Sequence, residues 1–451
     1  MSDAFRKSIL NRLPRLPPTR APWADGDGDG HGGSVDGDEQ EELEGGDTMS
    51  QLGAMLPPAP KSPAQDLSPL SASGFFSQAL EVTPRGSSMA FRVYLTPTNP
   101  QPSPNLSTPT RTATAWAAGP SPPHAGPSGS SSSSTSPATK ATTTTSGAEQ
   151  GKAKGTYLVC HHGAGAGGLS FAALAKEVTE KSAGEMGVLA YDARGHGKTK
   201  AQTKSEETTL TLENLLADLM GILEHLFPDP KDAPSLVLMG HSMGAAPILA
   251  AVPLLQKKGY TVPGIIVLDV VEGTAVESLP LMKGILSSRP ASFRSVVDAI
   301  HWHLHSSSIR NATSARVSVP SYLTPAPDET DPGPQGKQVW RTDLLATEPY
   351  WAEWWGGLSQ KFLTAKCARM LVLAGQERLD KDLMVGQMQG KFQLEVLQDV
   401  GHYLHEDNPT ALASLIVTFW RRNTRVLVLP PKIGAPAGSA GVVGVRRVGE
   451  D

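Results

Sequence analysis

The chain has 451 residues, a formal net charge of −4, 39% hydrophobic and 6% aromatic residues, and unusually many breakers, 45 Gly and 38 Pro. So small a net charge excludes a global field that would draw the chain to nucleic acid, and the absence of any run of about 18 apolar residues argues against a transmembrane helix and membrane association. Two cysteines, Cys160 and Cys367, cannot build a disulfide framework and suit a reducing compartment; with no apolar core behind the basic N-terminal residues, a cytoplasmic location, a nuclear one, or both are expected.

Residues 1–74 read as a disordered tail. A basic start around Arg12 and Arg15 is followed by an acidic run from Asp25 to Asp47, and neither holds enough apolar residues to offset chain entropy. Within that run Asp25, Asp27, Asp29, Gly30 and Asp36 imitate a calcium loop. The flanking helices such a loop needs are not encoded, so the match is read as chance in an Asp-Gly repeat. A single domain is expected over residues 75–425. It opens with Phe75, Leu80, Val82, Phe91, Val93 and Leu95, which indicate two strands around a turn at Pro84–Gly86. Residues 97–154 are low-complexity sequence; the stretch 97–150 alone holds 22 Ser or Thr, 10 Pro and 3 charged residues. They are expected to be an insertion between two strands, tolerable because loop-closure entropy grows slowly with length.

Regular structure resumes at Thr156. Short apolar runs at Tyr157–Cys160, Val188–Tyr191, Ser235–Met239, Ile265–Leu268, Met370–Ala374 and Phe392–Leu397 read as strands. Helical stretches lie between most of them, among them Leu210–Leu226 with its leucines at helical spacing. That alternation predicts an α/β domain with a mostly parallel central sheet and helices on both faces. Residues 320–338 read as a Pro-rich loop, and 426–451 as a second disordered tail.

Gly240-His241-Ser242-Met243-Gly244 carries the most chemistry. It follows a strand and opens the small-residue helical stretch Ala245–Leu255, the context that a G-x-S-x-G nucleophile turn requires. The glycines permit a sharp, strained turn that lifts Ser242 clear, and the N–H of Met243 then faces a developing oxyanion. A second oxyanion donor is expected from His162-Gly163-Ala164-Gly165 after an earlier strand, with the N–H of Ala164 as the candidate. The base is expected after the last strand, where His402 follows Gly401; His405, three residues on, is the other histidine there. For the acid, spacing leaves Asp269, Glu377 and Asp380 open, since each follows a strand and each could equally cap a helix.

The segments around these residues resemble the protein phosphatase methylesterase family. The likeness rests on Asp269-Val270-Val271-Glu272-Gly273-Thr274 after the serine turn, on Gly386-Gln387-Met388-Gln389-Gly390-Lys391-Phe392, and on Gly401-His402 followed by His405-Glu406-Asp407. It covers residues 75–95 and 156–425, with gaps. The resemblance implies an α/β-hydrolase fold and hydrolysis of the methyl ester on the C-terminal leucine of the protein phosphatase 2A catalytic subunit. It also implies that Asp269 is the acid of a Ser242, Asp269, His402 triad. Such chemistry needs no metal or organic cofactor. A general carboxylesterase of the same fold, or a phosphatase-binding protein acting by sequestration, are the alternatives.

The long segment from 272 to about 340 is expected to form a cap. Its Lys283, Arg289, Arg294, Arg310 and Arg316, with Trp302 among His301, His303 and His305, would suit an acidic peptide, or else form a solvated helix face. Met384, Met388 and Gln387–Gln389 would meet a partner or pack locally.

Overall fold

Strands form at each expected apolar run, within a few residues of its bounds. The computed structural model describes residues 66–99, 155–327, 333–375 and 379–424. In chain order the strands are Gln78–Val82 (β1), Phe91–Thr96 (β2), Thr156–His161 (β3), Met186–Tyr191 (β4), Ser235–His241 (β5), Gly264–Leu268 (β6), Ser292–Phe293 (β7), Leu323–Pro325 (β8), Gln338–Trp340 (β9), Ala368–Ala374 (β10) and Gln393–Leu397 (β11). Eight of them make one sheet in the order β1-β2-β4-β3-β5-β6-β10-β11. The contacts β1–β2 and β2–β4 are antiparallel; all others in this sheet are parallel.

Every residue of β3, β4 and β6 is buried, which is why these segments, apart from Thr156 and His161 at the two ends of β3, carry no alternating polar side chains. The period of two sorts their side chains between two cores. Tyr157, Val159, Leu236, Leu238, Ile265 and Val267 pack on one face with helices Leu212–Leu226 and Ala245–Lys257. Their neighbours Leu158, Cys160, Val237, Met239, Ile266 and Leu268 pack on the other with helices Ala172–Lys181 and Pro409–Thr424. The β2 and β3 strands thus share one sheet although a long segment separates them. The chain leaves and re-enters at one place: the Asn99 N–H donates to Gly184 O at 2.7 Å, and a Cβ on Gly155 would lie 2.8 Å from Thr98 Oγ1. The low-complexity insertion from residue 100, the Asp-Gly run and the C-terminal residues from 425 lie outside the described residues.

Three boundaries differ from the sequence expectation. Residues 66–74, expected in the tail, are packed: Leu67 is buried, the Leu70 N–H donates to Arg316 O at 2.9 Å, and Arg316 Nε donates to Ser68 O at 2.7 Å. The Pro-rich loop 320–338 contributes β8 and the start of β9 to a three-stranded antiparallel sheet ordered β7-β9-β8. Strands of two or three residues are too short to show alternation, which hid them in the sequence. Finally, the cap does not end near residue 340. Between β6 and β10 it comprises helices Glu272–Ser287, Val296–His305 and Ala312–Ser318, the small sheet, and helix Glu348–Trp355. A third apolar cluster, including Phe293, Ile300, Ile309, Val319 and Tyr322, holds part of it together.

On the first face a buried ion pair pins the loop after β4 to helix Leu212–Leu226. Arg194 Nε and Nη2 donate to Asp218 Oδ2 and Oδ1 at 2.6 and 2.7 Å, with both side chains more than nine-tenths buried. Removing one member leaves the other's charge without its counter-ion. Asp218→Ala is therefore expected to lower the unfolding free energy by about 3 kcal/mol or more in chemical denaturation, far beyond an exposed-pair substitution.

Candidate active site

The strand β5 runs to His241, and Ser242 then adopts a left-handed backbone, φ 49°, before the turn Ser242–Gly244 leads into helix Ala245–Lys257. A non-glycine residue accepts such a φ only when its surroundings enforce it. The enforcement comes from close backbone packing on either side. A Cβ on Gly240 would collide with the carbonyl of Gly244, and a Cβ on Gly244 with the carbonyl of His161. Met243 is buried while Ser242 stays partly exposed. Strand β3 pairs in register His161↔Gly240, so the loop His162–Gly165 leaves the sheet beside the serine turn. This is the point where strand order reverses, the usual ligand site of open parallel sheets.

At the next strand end Asp269 also has a left-handed backbone, φ 49°. Its Oδ1 accepts from the Ala374 N–H at 2.7 Å, and its Oδ2 accepts from His402 Nδ1 at 2.8 Å. With Nδ1 donating, Nε2 of His402 keeps its lone pair, the state needed to take a proton. Of the other acids considered, Asp380 is occupied elsewhere. It caps helix Lys381–Met388 through the Leu383 N–H at 2.9 Å and accepts from Ser359 Oγ at 2.5 Å. Glu377 lies outside the described residues. His405 is fully buried and stacks on Phe171 with centroids 4.6 Å apart, so of the two histidines in this loop His402 alone meets Asp269.

The loop after β3 is held by two buried histidines that the sequence reading did not single out. His162 Nδ1 donates to Gly163 O at 2.8 Å while its Nε2 accepts from the Ala193 N–H at 2.9 Å. His196 does the same with Arg194 O at 2.8 Å and the Gly165 N–H at 2.9 Å. A neutral ring alone can both donate and accept. Burial enforces this state, pushing His196 down to about 4 and His162 well below the ordinary imidazole range. The signal available in the sequence was a histidine in the turn beyond each of two strands, His162 directly after β3 and His196 at the far end of the turn Asp192–Gly195 after β4. A third ring, His241, donates from Nε2 to the carbonyl of His402 at 2.9 Å and fixes that residue's backbone.

Two acids tie the His402 loop to the cap. Asp407 accepts from the Gly401 N–H at 2.6 Å and from the Arg310 N–H at 2.7 Å. Glu406 is fully buried and accepts from Ser318 Oγ at 2.5 Å and Tyr322 Oη at 2.8 Å. Burial pushes the Glu406 carboxyl up to about 8, against the opposing pull of those two hydroxyls.

Ser242, Asp269 and His402 open together, with Met243 and Ala164, onto one cavity of about 270 Å³. Its walls are the cap face of helix Glu272–Ser287 and the rings of Trp302, Tyr322, Trp340, Trp351, Trp354 and Trp355. The last three, on helix Glu348–Trp355, belong to the part of the cap that the sequence reading left out. Met384 and Met388, for which the sequence leaves a partner contact or local packing open, are exposed on helix Lys381–Met388, 49% and 83% respectively, and stand outside this cavity.

Sheet, serine turn and hydrogen-bonded Asp–His pair together define an α/β-hydrolase. A model of the Alpha/beta hydrolase family matches residues 158–415. Among curated relatives, a Protein phosphatase methylesterase 1 of Cryptococcus neoformans var. neoformans serotype D (strain JEC21 / ATCC MYA-565) is 58% identical over 460 residues, covering 100% of both chains. That of Schizosaccharomyces pombe is 45% identical over 282 residues, 62% of this chain and 79% of its own. That of Aspergillus fumigatus is 46% identical over 292 residues, 63% and 69%. The chain belongs to the Alpha/beta hydrolase family and, within it, to the protein phosphatase methylesterases.

The buried Glu406 makes stability depend on pH with a definite sign. Its folded value of about 8 lies above the ordinary 4.5, so its contribution is complete below about 4.5 and is lost as pH rises through about 8. The buried histidines act oppositely: His161, His196 and His303, lowered to about 4, withdraw stability as pH falls below about 6.5. Glu406→Gln retains both hydrogen-bonding positions without an ionisable proton. Thermal melts are expected to show the wild type losing Tm relative to Glu406→Gln between pH 5 and 8; parallel profiles would contradict the assignment.

Proposed function

We propose that the chain is a serine carboxylesterase that removes the methyl ester from the C-terminal leucine of a protein phosphatase 2A catalytic subunit. The observation that carries the reading is the 2.8 Å bond from His402 Nδ1, beyond β11, to Asp269 Oδ2, at the end of β6 beside the serine-bearing β5, on the cavity that Ser242 enters. Similarity to relatives named for methylesterase action on a protein phosphatase supports the substrate class.

In this reading Ser242 Oγ attacks the ester carbonyl while His402 Nε2 takes its proton. Asp269 keeps the ring in the donating tautomer and stabilises the imidazolium that forms; its own orientation is fixed by the Ala374 N–H. The N–H groups of Met243 and Ala164 receive the oxyanion. The proton on His402 goes to the departing methoxide, methanol leaves, and water then attacks the acyl-Ser242 with His402 again as base. The products are a free carboxylate and the regenerated serine. The neutral histidines behind the Ala164 loop hold those donors rigidly, so little reorganisation accompanies the charge shift.

Ser242→Ala is expected to lower methanol release from methylated phosphatase by about a thousandfold or more, and undiminished release would sink the reading. Asp269→Asn, which leaves a shape-matched group that no longer stabilises the imidazolium, is expected to cost kcat by a similar factor, while a fluorophosphonate should still label its Ser242, only slowly.

A further inference from the structure

The cavity wall holds a cation that the hydrolytic steps leave unused. Arg289 follows the cap helix Glu272–Ser287, and its guanidinium carbon lies 3.6 Å from the centroid of the Trp340 ring. Trp340 is itself fixed, donating its indole N–H to Pro290 O at 2.7 Å. The other cap cations weighed in the sequence have carboxylate neighbours: Lys283 with Glu348 at 2.8 Å, Arg294 with Asp298 at 3.4 Å, Arg310 with Asp407 at 3.9 Å, and Arg316 with Asp66 at 3.3 Å. Arg289 pairs with no carboxylate among the described residues. Burial works against its charge, yet a guanidinium stays protonated in proteins.

A second donor in the same wall is also unmatched. Trp302, its ring 5.9 Å from that of Trp340, has a buried indole N–H with no acceptor among the described residues. His303, between them on the cap, adds no charge: its Nδ1 donates to Ala299 O at 2.8 Å, and burial holds it down to about 4. A half-buried cation without an anion and a buried N–H without an acceptor each carry a cost that an anionic acceptor entering the cavity would offset.

We infer that Arg289, assisted by the Trp302 N–H, forms a specificity subsite for an acidic side chain of the substrate, upstream of the esterified residue. This rests on the esterase reading above and extends it from the reacting ester to the peptide that carries it. A single planar guanidinium, backed by an aromatic face, matches one carboxylate in charge and in fork geometry. The apolar walls around it receive the neutral part of the peptide, whereas a free small ester would leave Arg289 unmatched.

The test uses the full chain and peptide methyl esters bearing Asp at the second, third or fourth position from the esterified end, each beside its Asn counterpart. Methanol release gives kcat/KM for both, and the Asp/Asn ratio is the readout, so a variant that is slow overall still answers. The wild type is expected to prefer Asp about tenfold or more at one position, and Arg289→Gln to bring that ratio close to one. Arg289→Lys should keep part of the preference, and Trp302→Phe, which removes the N–H together with the pyrrole half of the indole, should reduce it; these two carry the test if Arg289→Gln does not fold. A wild type indifferent to Asp at all positions, or a preference that survives Arg289→Gln, overturns the subsite alone. A wild type that demethylates neither series overturns the esterase reading, and the subsite with it.

Discussion

Everything at the site depends on how closely two stretches of backbone approach at the ends of β3 and β5. Gly244 lies against the carbonyl of His161, and Gly240 against that of Gly244, with no room for a Cβ at either position. This contact seats the start of helix Ala245–Lys257 directly over the β3 end and compels Ser242 into its left-handed conformation. The strain at Ser242 is thus maintained by packing that continues into both hydrophobic cores. The same contact brings the His162–Gly165 loop beside the serine, so that the proposed nucleophile and oxyanion donors are set by one piece of geometry.

His402, the proposed base, arrives from a separate direction and is held by separate means. Asp269 orients the His402 ring, His241 holds its carbonyl, and Asp407 holds the preceding Gly401 N–H. Asp407 and Glu406 also bind the cap, through Arg310, Ser318 and Tyr322. The His402 loop and the cap are therefore one mechanical unit. A displacement of the cap segment 310–322 acts on the backbone at residues 401–407, two or three hydrogen bonds from the imidazole.

Much of this was legible in the sequence, for reasons that can be stated. Buried parallel strands must be apolar throughout, so β3 to β6 and β10 stood out; the serine turn stood out because only glycine fits beside it. The acid was not legible from spacing. Asp269, Glu377 and Asp380 all follow strands, and only the hydrogen bond to His402 separates Asp269 from the helix-capping Asp380. The cap was legible as a long connection but not as a structure. Strands of two or three residues show no alternation, and Trp351, Trp354 and Trp355 carried their helical spacing past the point where the cap was expected to end. Residues 66–74 were assigned to the tail because so short a segment has little apolar content of its own. Its order comes from docking on Arg316 of the cap.

The buried histidines have a consequence for how the site meets a changing charge. Around the reacting centre stand His162, His196, His241 and His405, each pushed by burial far below the imidazole range. All four stay neutral, and His162 and His196, bonded at both nitrogens, present fixed dipoles rather than exchangeable protons. In the proposed reaction, as negative charge passes from the serine to the carbonyl oxygen, His162 and His196 neither titrate nor turn, because each is fastened at both nitrogens. In water the same charge shift would require many solvent molecules to reorient. Here the surroundings behave as a solvent already frozen in its final polarisation, with the work of ordering it done once, at folding, rather than at each turnover.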